Sequence, residues 1–171
     1  MKKSILVLGL SLVLLLVLGI NVQAQNKEVS ETGTTTWYVT FKVLPLGEGV
    51  LYMNYEGIGT TVSDTGGGLF HNATTRFLGS VKMEKGIYND ERGWGVYNLQ
   101  NGDKVFVTYT VAGTFKPGVV SLGKGTGTII GGTGKAAGIQ GNIEFTRTQV
   151  RPAVEGIGQS YSKKTIKYTL P

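Results

Sequence analysis

A glycine-rich segment in the second half of the chain has the residue types of a phosphate-binding loop. Residues 125–141 read GTGTIIGGTGKAAGIQG, so two isoleucines run directly into Gly-Gly-Thr-Gly-Lys. A P-loop requires Gly-x-x-x-x-Gly-Lys followed by Ser or Thr, because its backbone N–H groups, its lysine and its hydroxyl hold the phosphates and Mg²⁺. Around Gly134 and Lys135 the pattern fails twice, since position 129 is Ile and position 136 is Ala. The segment therefore lacks the residues for P-loop chemistry.

The same segment also has the glycine spacing of a dinucleotide-binding turn, through Gly132, Gly134 and Gly138. That turn must open a helix inside a βαβ unit. The residues that follow, NIEFTRTQV, alternate with period two and are rich in β-branched and aromatic types, which predicts a strand. We therefore predict a glycine reversal between two strands, and no nucleotide cofactor.

Acid–base and metal chemistry have few candidate residues. The chain has one histidine, His71, and no cysteine, which argues against His-rich or Cys-ligated metal sites and predicts no metal. His71 shares its strand parity with Phe77, so it is either an inward acid–base group or a structural histidine at a strand start. In the triplet 90–92 (Asp-Glu-Arg), one carboxylate could enter a cavity and act as a general base. The alternative is a solvated hairpin shoulder.

Large aromatic side chains recur along the predicted strands. An apolar pocket with a few polar groups is the usual site for a small molecule, and the mouth of a β-barrel is a common place for one. The alternative is that these rings fill the barrel interior completely. The residues that we predict to line a ligand pocket are Trp37, Tyr55, His71, Phe77, Trp94 and Tyr109.

The elements that must position these residues have a period of two rather than 3.6. No segment after residue 24 shows a helical stripe, and Asn-Gly at 101–102 is a strong hairpin signal. The predicted strands are 34–44, 50–59, 73–84, 90–100, 104–115, 119–130, 138–150 and 160–170. Eight strands with mostly short connections favour antiparallel pairing in a closed barrel or a sandwich.

The glycine content favours the barrel. The chain has 27 glycines among 171 residues, well above the typical share of about 7%. Glycines inside strands mark bulges and bends where a sheet curls closed. We therefore predict an all-β fold with a closed eight-stranded antiparallel barrel, whose interior is either filled by side chains or holds one small ligand.

The glycine segment resembles the signature of the dirigent protein and allene oxide cyclase barrels. In those families a strand ends in Gly-Gly-Thr/Ser-Gly, and a further glycine soon opens the next strand, as in 130–141 of this chain. Residues 102–106 and 113–114 also look like the bacterial relatives of those barrels, although Ala136-Ala137 replaces the usual aromatic residue. The resemblance implies a calycin-like barrel, and it implies trimers as a common assembly. It supplies no catalytic residue that can be aligned.

The N-terminus predicts export. Met1-Lys2-Lys3, the apolar run 5–20 and a small-residue site ending at Ala24 form the pattern of a secretory signal peptide, of bacterial appearance. The run of about 16 residues is shorter than the roughly 20 needed to span a bilayer. The predicted organisation is a signal peptide over 1–24, a flexible lead-in over 25–33 and one barrel domain over 34–171. A secreted or periplasmic location, with no stable membrane span after cleavage, follows.

The charge gives little indication of a polyanionic partner. The formal net charge is +6, and two of its lysines, Lys2 and Lys3, leave with the predicted signal peptide. The lysines at 163, 164 and 167 are interpreted as a solvated strand face, because a nucleic-acid site needs a denser basic patch. We predict no nucleic-acid partner.

Three functions remain open from the sequence. The first is binding of a small, largely apolar molecule. The second is a cyclase or isomerase of the same fold, which would work mainly by holding a flexible substrate folded. The third is a non-enzymatic, self-associating structural or interaction protein, suggested by apolar residues on both faces of 50–59 and 94–99.

Overall fold

The chain folds into a closed barrel of eight antiparallel strands. The computed structural model describes residues 27–116 and 120–171. The strands are β1 (Glu28–Gly47), β2 (Val50–Ser63), β3 (Ala73–Glu84), β4 (Ile87–Asn98), β5 (Lys104–Thr114), β6 (Ser121–Gly132), β7 (Gln140–Val150) and β8 (Gly158–Thr169). Each strand pairs with its neighbours in chain order, and β8 pairs with β1 to close the sheet. The all-β class and the closed eight-stranded antiparallel barrel are confirmed; the predicted signal peptide over 1–24 lies outside the described residues.

The first strand is longer than the sequence predicted. Residues 28–33, expected to be part of a flexible lead-in, pair with β8 in register. The polar side chain of Glu31 explains the difference, because it is bonded rather than solvated. Its carboxylate accepts the backbone N–H of Leu69 at 2.7 Å and the hydroxyl of Tyr168 at 2.5 Å. The polar composition of residues 28–33 therefore did not indicate that they form part of a strand.

One end of the barrel, here called the packed end, carries the β2–β3 and β6–β7 connections. Phe70 from the first connection and Ile139 from the second are almost completely buried. They pack with inward residues of the strands, among them Tyr97, Val105 and Ile166. The Phe70 and Tyr97 rings meet edge to face, with centroids 5.1 Å apart. Apolar side chains thus fill this end.

The glycine segment belongs to the packed end. After β6, residues Gly134–Ala136 form a single 3₁₀ turn, and Gly134 and Gly138 have positive φ angles of 55° and 79°. The Asp103 carboxylate accepts the backbone N–H of Lys135 at 2.9 Å. The Thr133 hydroxyl accepts the N–H of Lys104 at 2.9 Å. These contacts tie the loop to the β4–β5 turn, as a structural reversal rather than a phosphate cradle.

The opposite end, here called the open end, carries the β1–β2 and β3–β4 turns. Odd-numbered positions of β1 face the barrel interior, which includes Trp37, Val39, Phe41 and Val43. Near this end Phe41 and Val43 remain 41% and 45% exposed. Inward residues stay exposed only where the interior is not filled. The open end therefore leads into a cavity.

Candidate functional site

The cavity at the open end, here called the outer cavity, has a volume of about 380 Å³. This lies within the usual range of about 300–1,000 Å³ for small-molecule sites. Its lining is contributed by six of the eight strands, β1 to β4, β7 and β8, and by the segments that follow β5 and β7. The apolar residues include Val39, Phe41, Val43, Leu51, Met53, Val81, Met83, Phe115, Val150 and Ile157.

A buried ion pair lies at the inner side of this apolar space. Arg147 of β7 donates from Nη1 to Glu91 Oε1 at 2.6 Å, and its Nη2 donates to Oε2 of the same carboxylate. Glu91 is only 2% exposed, and both residues line the outer cavity. Charged groups are almost never buried unless they are paired, because isolated charges are costly to desolvate. The pair therefore places two opposite charges at the outer cavity without adding a net charge.

Three tyrosine hydroxyls extend the ion pair into a network. Tyr55 donates to Glu91 Oε1 at 2.5 Å, and Tyr109 lies 2.5 Å from the Tyr55 hydroxyl. Since the Tyr55 proton goes to the carboxylate, Tyr109 is the donor in the second bond. Arg147 Nη2 donates to the hydroxyl of Tyr88 at 3.0 Å. A chain of hydrogen bonds thus runs from Tyr109 through Tyr55 to Glu91.

The protonation states of the network follow from burial and from the ion pair. Burial, and then the neighbouring Glu91 carboxylate, raise the pKa of Tyr55 far above its usual value. Burial also raises the pKa of Tyr109. Burial by itself lowers the pKa of Arg147, but the Glu91 carboxylate more than offsets this and leaves that pKa well above its usual value. At neutral pH Tyr55 and Tyr109 therefore remain protonated and Arg147 remains charged.

A bulge in β4 lets Tyr88 face the interior together with Glu91. Three residue steps of β4, from Tyr88 to Glu91, span the same length as two steps of β5. Tyr88 and Glu91 are buried, while Asn89 and Asp90 between them are exposed. Glu91 alternates regularly with the inward Gly93 and Gly95, and without the bulge Tyr88 would point to the outer face. Bulges re-aim side chains in this way and are frequent beside functional sites.

Inward glycines make the space that the aromatic rings occupy. A Cβ at Gly95 would collide with the Phe77 ring, and one at Gly93 would collide with the Tyr109 ring. A Cβ at Gly79 would collide with the hydroxyls of both Tyr55 and Tyr109. The glycines of β3 and β4 therefore allow the tyrosine network to cross the barrel.

Two polar atoms at the cavity have no hydrogen-bond partner in the described part of the chain. They are Arg147 Nε, a donor, and Gln149 Oε1, an acceptor, and both are buried. Both residues line the outer cavity. An unsatisfied buried donor or acceptor costs about 1–3 kcal/mol.

A smaller space of about 60 Å³, here called the inner cavity, lies next to the outer one. Val39, Tyr55, Arg147 and Ser160 line both. The inner cavity is also lined by Trp37, Phe77, Tyr97, Tyr109 and Lys164. The Trp37 indole donates to the Ser162 hydroxyl at 3.1 Å. The two cavities therefore adjoin each other between the open end and the middle of the barrel.

Four of the six predicted pocket residues come together in this site. Tyr55 lines both cavities, and Trp37, Phe77 and Tyr109 line the inner one. The Phe77 ring centroid lies 5.0 Å from that of Trp37 and 5.2 Å from that of Tyr109. The expectation that the rings fill the barrel completely therefore holds only toward the packed end.

The other two predicted residues lie elsewhere. Trp94 is on the outer face of β4 and is 65% exposed, because the inward positions beside it are Gly93 and Gly95. His71 is in the β2–β3 connection, where its Nδ1 accepts the backbone N–H of Ser63 at 3.3 Å. Its role there is to order the connection, which agrees with the structural alternative for this histidine.

Sequence reasoning left Arg147, Gln149 and Lys164 out of the site. Arg147 and Gln149 have the same parity as Phe145, which is a signal that could have placed them inward. The interpretation of all three C-terminal lysines as a solvated face is wrong for Lys164, which is 7% exposed. Lys163 and Lys167 are exposed, as period-two alternation requires.

A larger hollow of about 870 Å³ lies on the outer face of the sheet. It is open and is lined by threonines and lysines, including Thr34, Thr126, Thr146, Lys124 and Lys163. The interior site is the better candidate, because only there does an enclosed apolar space meet a buried charge network.

Comparison with known proteins adds no relative. No family model, no curated protein and no solved structure matches this chain. Within 27–116 and 120–171, no helix is both long enough and apolar enough to span a membrane. No cluster of three or more His, Cys, Asp or Glu in those ranges could hold a metal ion.

Proposed function

We propose that the protein is an exported barrel that binds a small, largely apolar molecule, and that it is a bacterial relative of the dirigent and allene oxide cyclase barrels. The observation that carries the binding proposal is the pair of inward residues Phe41 and Val43. They remain exposed around a 380 Å³ apolar space. Inward apolar residues that no side chain covers are stabilised when a ligand covers them.

The polar groups of the site indicate which polar group the ligand would carry beside its apolar body. Glu91 and Arg147 neutralise each other, so the site offers hydrogen bonds rather than a net charge. Arg147 and Gln149, two polar residues of the lining, each carry one buried atom without a hydrogen-bond partner in the described part of the chain. The molecule that fits best has an apolar body in the outer cavity and one neutral polar group beside Arg147.

Binding can be measured with a neutral apolar dye, N-phenyl-1-naphthylamine. Val43 lines the outer cavity, whereas Val62 of β2 is 49% exposed on the outer face. Both substitutions replace a partly exposed valine by tryptophan, and only the one at Val43 places the ring in the cavity. We expect the dye to bind the wild type and Val62→Trp equally. Binding to Val43→Trp should be at least tenfold weaker, because the new ring occupies the cavity.

Two results would overturn the proposal. One is a folded wild type, verified by circular dichroism, that does not bind the dye. The other is equal binding by Val43→Trp and Val62→Trp, which would place the dye outside the cavity.

A second candidate function is a cyclase or isomerase that acts in the same cavity. The buried Glu91, hydrogen-bonded to Tyr55 and paired with Arg147, supports it, because such groups can stabilise charge that develops during ring closure. A prochiral dienol probe tests this function. An enantiomeric excess in its cyclised product that is lost in folded Glu91→Gln supports catalysis, and a racemic product at the buffer rate contradicts it.

A further inference from the structure

The structure contains a second interior cation, Lys164, whose surroundings differ from those of Arg147. Lys164 faces inward from β8 and lines the inner cavity. Its Nζ donates to the Tyr97 hydroxyl at 2.8 Å. The Nζ atom also lies 5.1 Å from the Tyr97 ring centroid and 5.6 Å from that of Trp37.

No carboxylate within the described ranges pairs with Lys164. The three ion pairs found there involve Arg76, Arg92 and Arg147. The ionisable groups that share the inner cavity with Lys164 are Tyr55, Tyr97, Tyr109 and Arg147. The carboxylate of Glu91 is already held by both Nη atoms of Arg147. Lys164 therefore has neither the charge partner nor the solvent that normally stabilises an ammonium ion.

The amine form of Lys164 is consequently accessible at neutral pH. Burial lowers the pKa of Lys164 to about 7. Lysines with such surroundings serve as nucleophiles toward carbonyl groups, because desolvation in an apolar pocket favours the free amine. A wholly structural lysine would instead be expected at the surface or beside a carboxylate.

Access to the amine comes from the adjoining outer cavity. The inner cavity of about 60 Å³ has room for a carbonyl group but not for a large ligand. Because four residues line both cavities, an apolar chain in the outer cavity can place its terminal group near Lys164.

We propose that Lys164 captures a long-chain apolar aldehyde as a Schiff base, with the aldehyde carbon in the inner cavity and the tail in the outer cavity. This inference rests on the proposed binding function, and it names the reactive group of the ligand. It assigns to the barrel an activity of covalent carbonyl capture.

The chemistry balances without an external oxidant or reductant. The lone pair of Nζ attacks the aldehyde carbon, and the carbonyl oxygen takes up the proton that the nitrogen releases, which gives a carbinolamine. Loss of that hydroxyl with one proton as water forms the C=N bond of the imine. The Tyr97 hydroxyl, 2.8 Å from Nζ, is placed to relay the proton, and burial raises its pKa so that it stays protonated. Hydrolysis reverses the sequence and releases the aldehyde.

The test uses decanal and sodium cyanoborohydride with the purified protein at pH 7. Reduction converts an imine into a stable secondary amine, so mass spectrometry counts decyl groups and peptide mapping locates them. We expect one decyl group per chain at Lys164, formed at least tenfold faster than at any other lysine. Lys163→Met, which removes the exposed neighbour, should leave this labelling unchanged, whereas Lys164→Met should abolish it.

If Lys164→Met fails to fold, the pH dependence of labelling in the wild type tests the inference instead. The labelling rate at Lys164 should reach half its maximum near pH 7, while surface lysines should still be gaining reactivity at pH 9. Labelling spread over surface lysines, or no adduct at Lys164, overturns the inference.

Decan-1-ol separates this failure from that of the binding function. It has the same tail and cannot form an imine. If decan-1-ol displaces the naphthylamine dye but decanal gives no adduct at Lys164, the covalent inference is wrong and the binding function stands. If neither compound displaces the dye and decanal gives no adduct at Lys164, both are wrong.

Discussion

Glu91 and Arg147 lie on β4 and β7, two strands that are not neighbours in the sheet, and their side chains meet across the barrel interior through two N–H···O bonds. The backbone ladders connect only adjacent strands. This pair therefore connects two strands that share no backbone hydrogen bonds. It also fixes the orientation of the groups that line the cavity.

Removing one member of this pair should destabilise the fold strongly. Glu91→Gln leaves the buried Arg147 charge without a counter-ion, and breaking a buried pair in this way costs about 3–5 kcal/mol. We expect the urea midpoint to fall accordingly. The control is Asp90→Asn, which breaks the exposed pair of Asp90 and Arg92 one position away, where about 0–1 kcal/mol is expected. Equal losses in the two variants would contradict a structural role for the interior pair.

The free energy of unfolding should change with pH because Lys164 has different pKa values in the folded and unfolded chain. In the native state Lys164 releases its proton near pH 7, whereas in the unfolded chain it does so near 10.5. Between these values the unfolded chain binds one more proton, so the free energy of unfolding rises with pH through this window. The rise is on the order of a few kcal/mol, since one pKa unit corresponds to about 1.4 kcal/mol.

Above about pH 10 the buried tyrosines should reverse this trend. In the unfolded chain they lose protons near 10, while burial keeps Tyr97 and Tyr109 protonated in the barrel.

The Lys164 prediction is measured by urea unfolding of the wild type and Lys164→Met at pH 6 to 10, because the difference between the two proteins isolates the lysine contribution. Parallel curves for the two proteins would show that Lys164 does not titrate as we expect.

The inward glycines should tolerate no side chain. Gly95→Ala places a methyl group against the Phe77 ring, and overpacking of this kind costs about 1–3 kcal/mol. Gly67→Ala is the matched control, because a Cβ there meets nothing within 4 Å. Thermal unfolding should show a lower midpoint for Gly95→Ala only. A normal midpoint for that variant would mean that the ring moves aside without loss of packing.

The glycine segment should depend on Asp103 rather than on a phosphate. Asp103→Ala removes the acceptor of the Lys135 amide, so exchange of that amide with solvent should speed up by at least tenfold. Asp64→Ala, in the β2–β3 connection, should leave it unchanged. Protection of the Lys135 amide by added phosphate in the wild type would revive the phosphate-loop interpretation.

The strands were the most predictable part of the molecule, because period-two alternation depends on local sequence. The predicted segment 73–84 coincides with β3, and the glycine reversal after β6 forms as expected. The site was less predictable because it depends on irregularities. In β4, Glu91 keeps the inward parity of Gly93 and Gly95, and the bulge at Asn89 and Asp90 brings Tyr88 to the same face, which alternation alone would not indicate. In β8, two adjacent lysines concealed the inward position of Lys164.

The contrast between the two ends of the barrel limits how any bound molecule can travel. Phe70 and Ile139 seal one end, whereas Phe41 and Val43 stand open at the other. The interior is therefore accessible from the open end and closed at the packed end. If a small molecule binds as proposed, it enters and leaves at the same end, so the residues around that opening set its exchange rate.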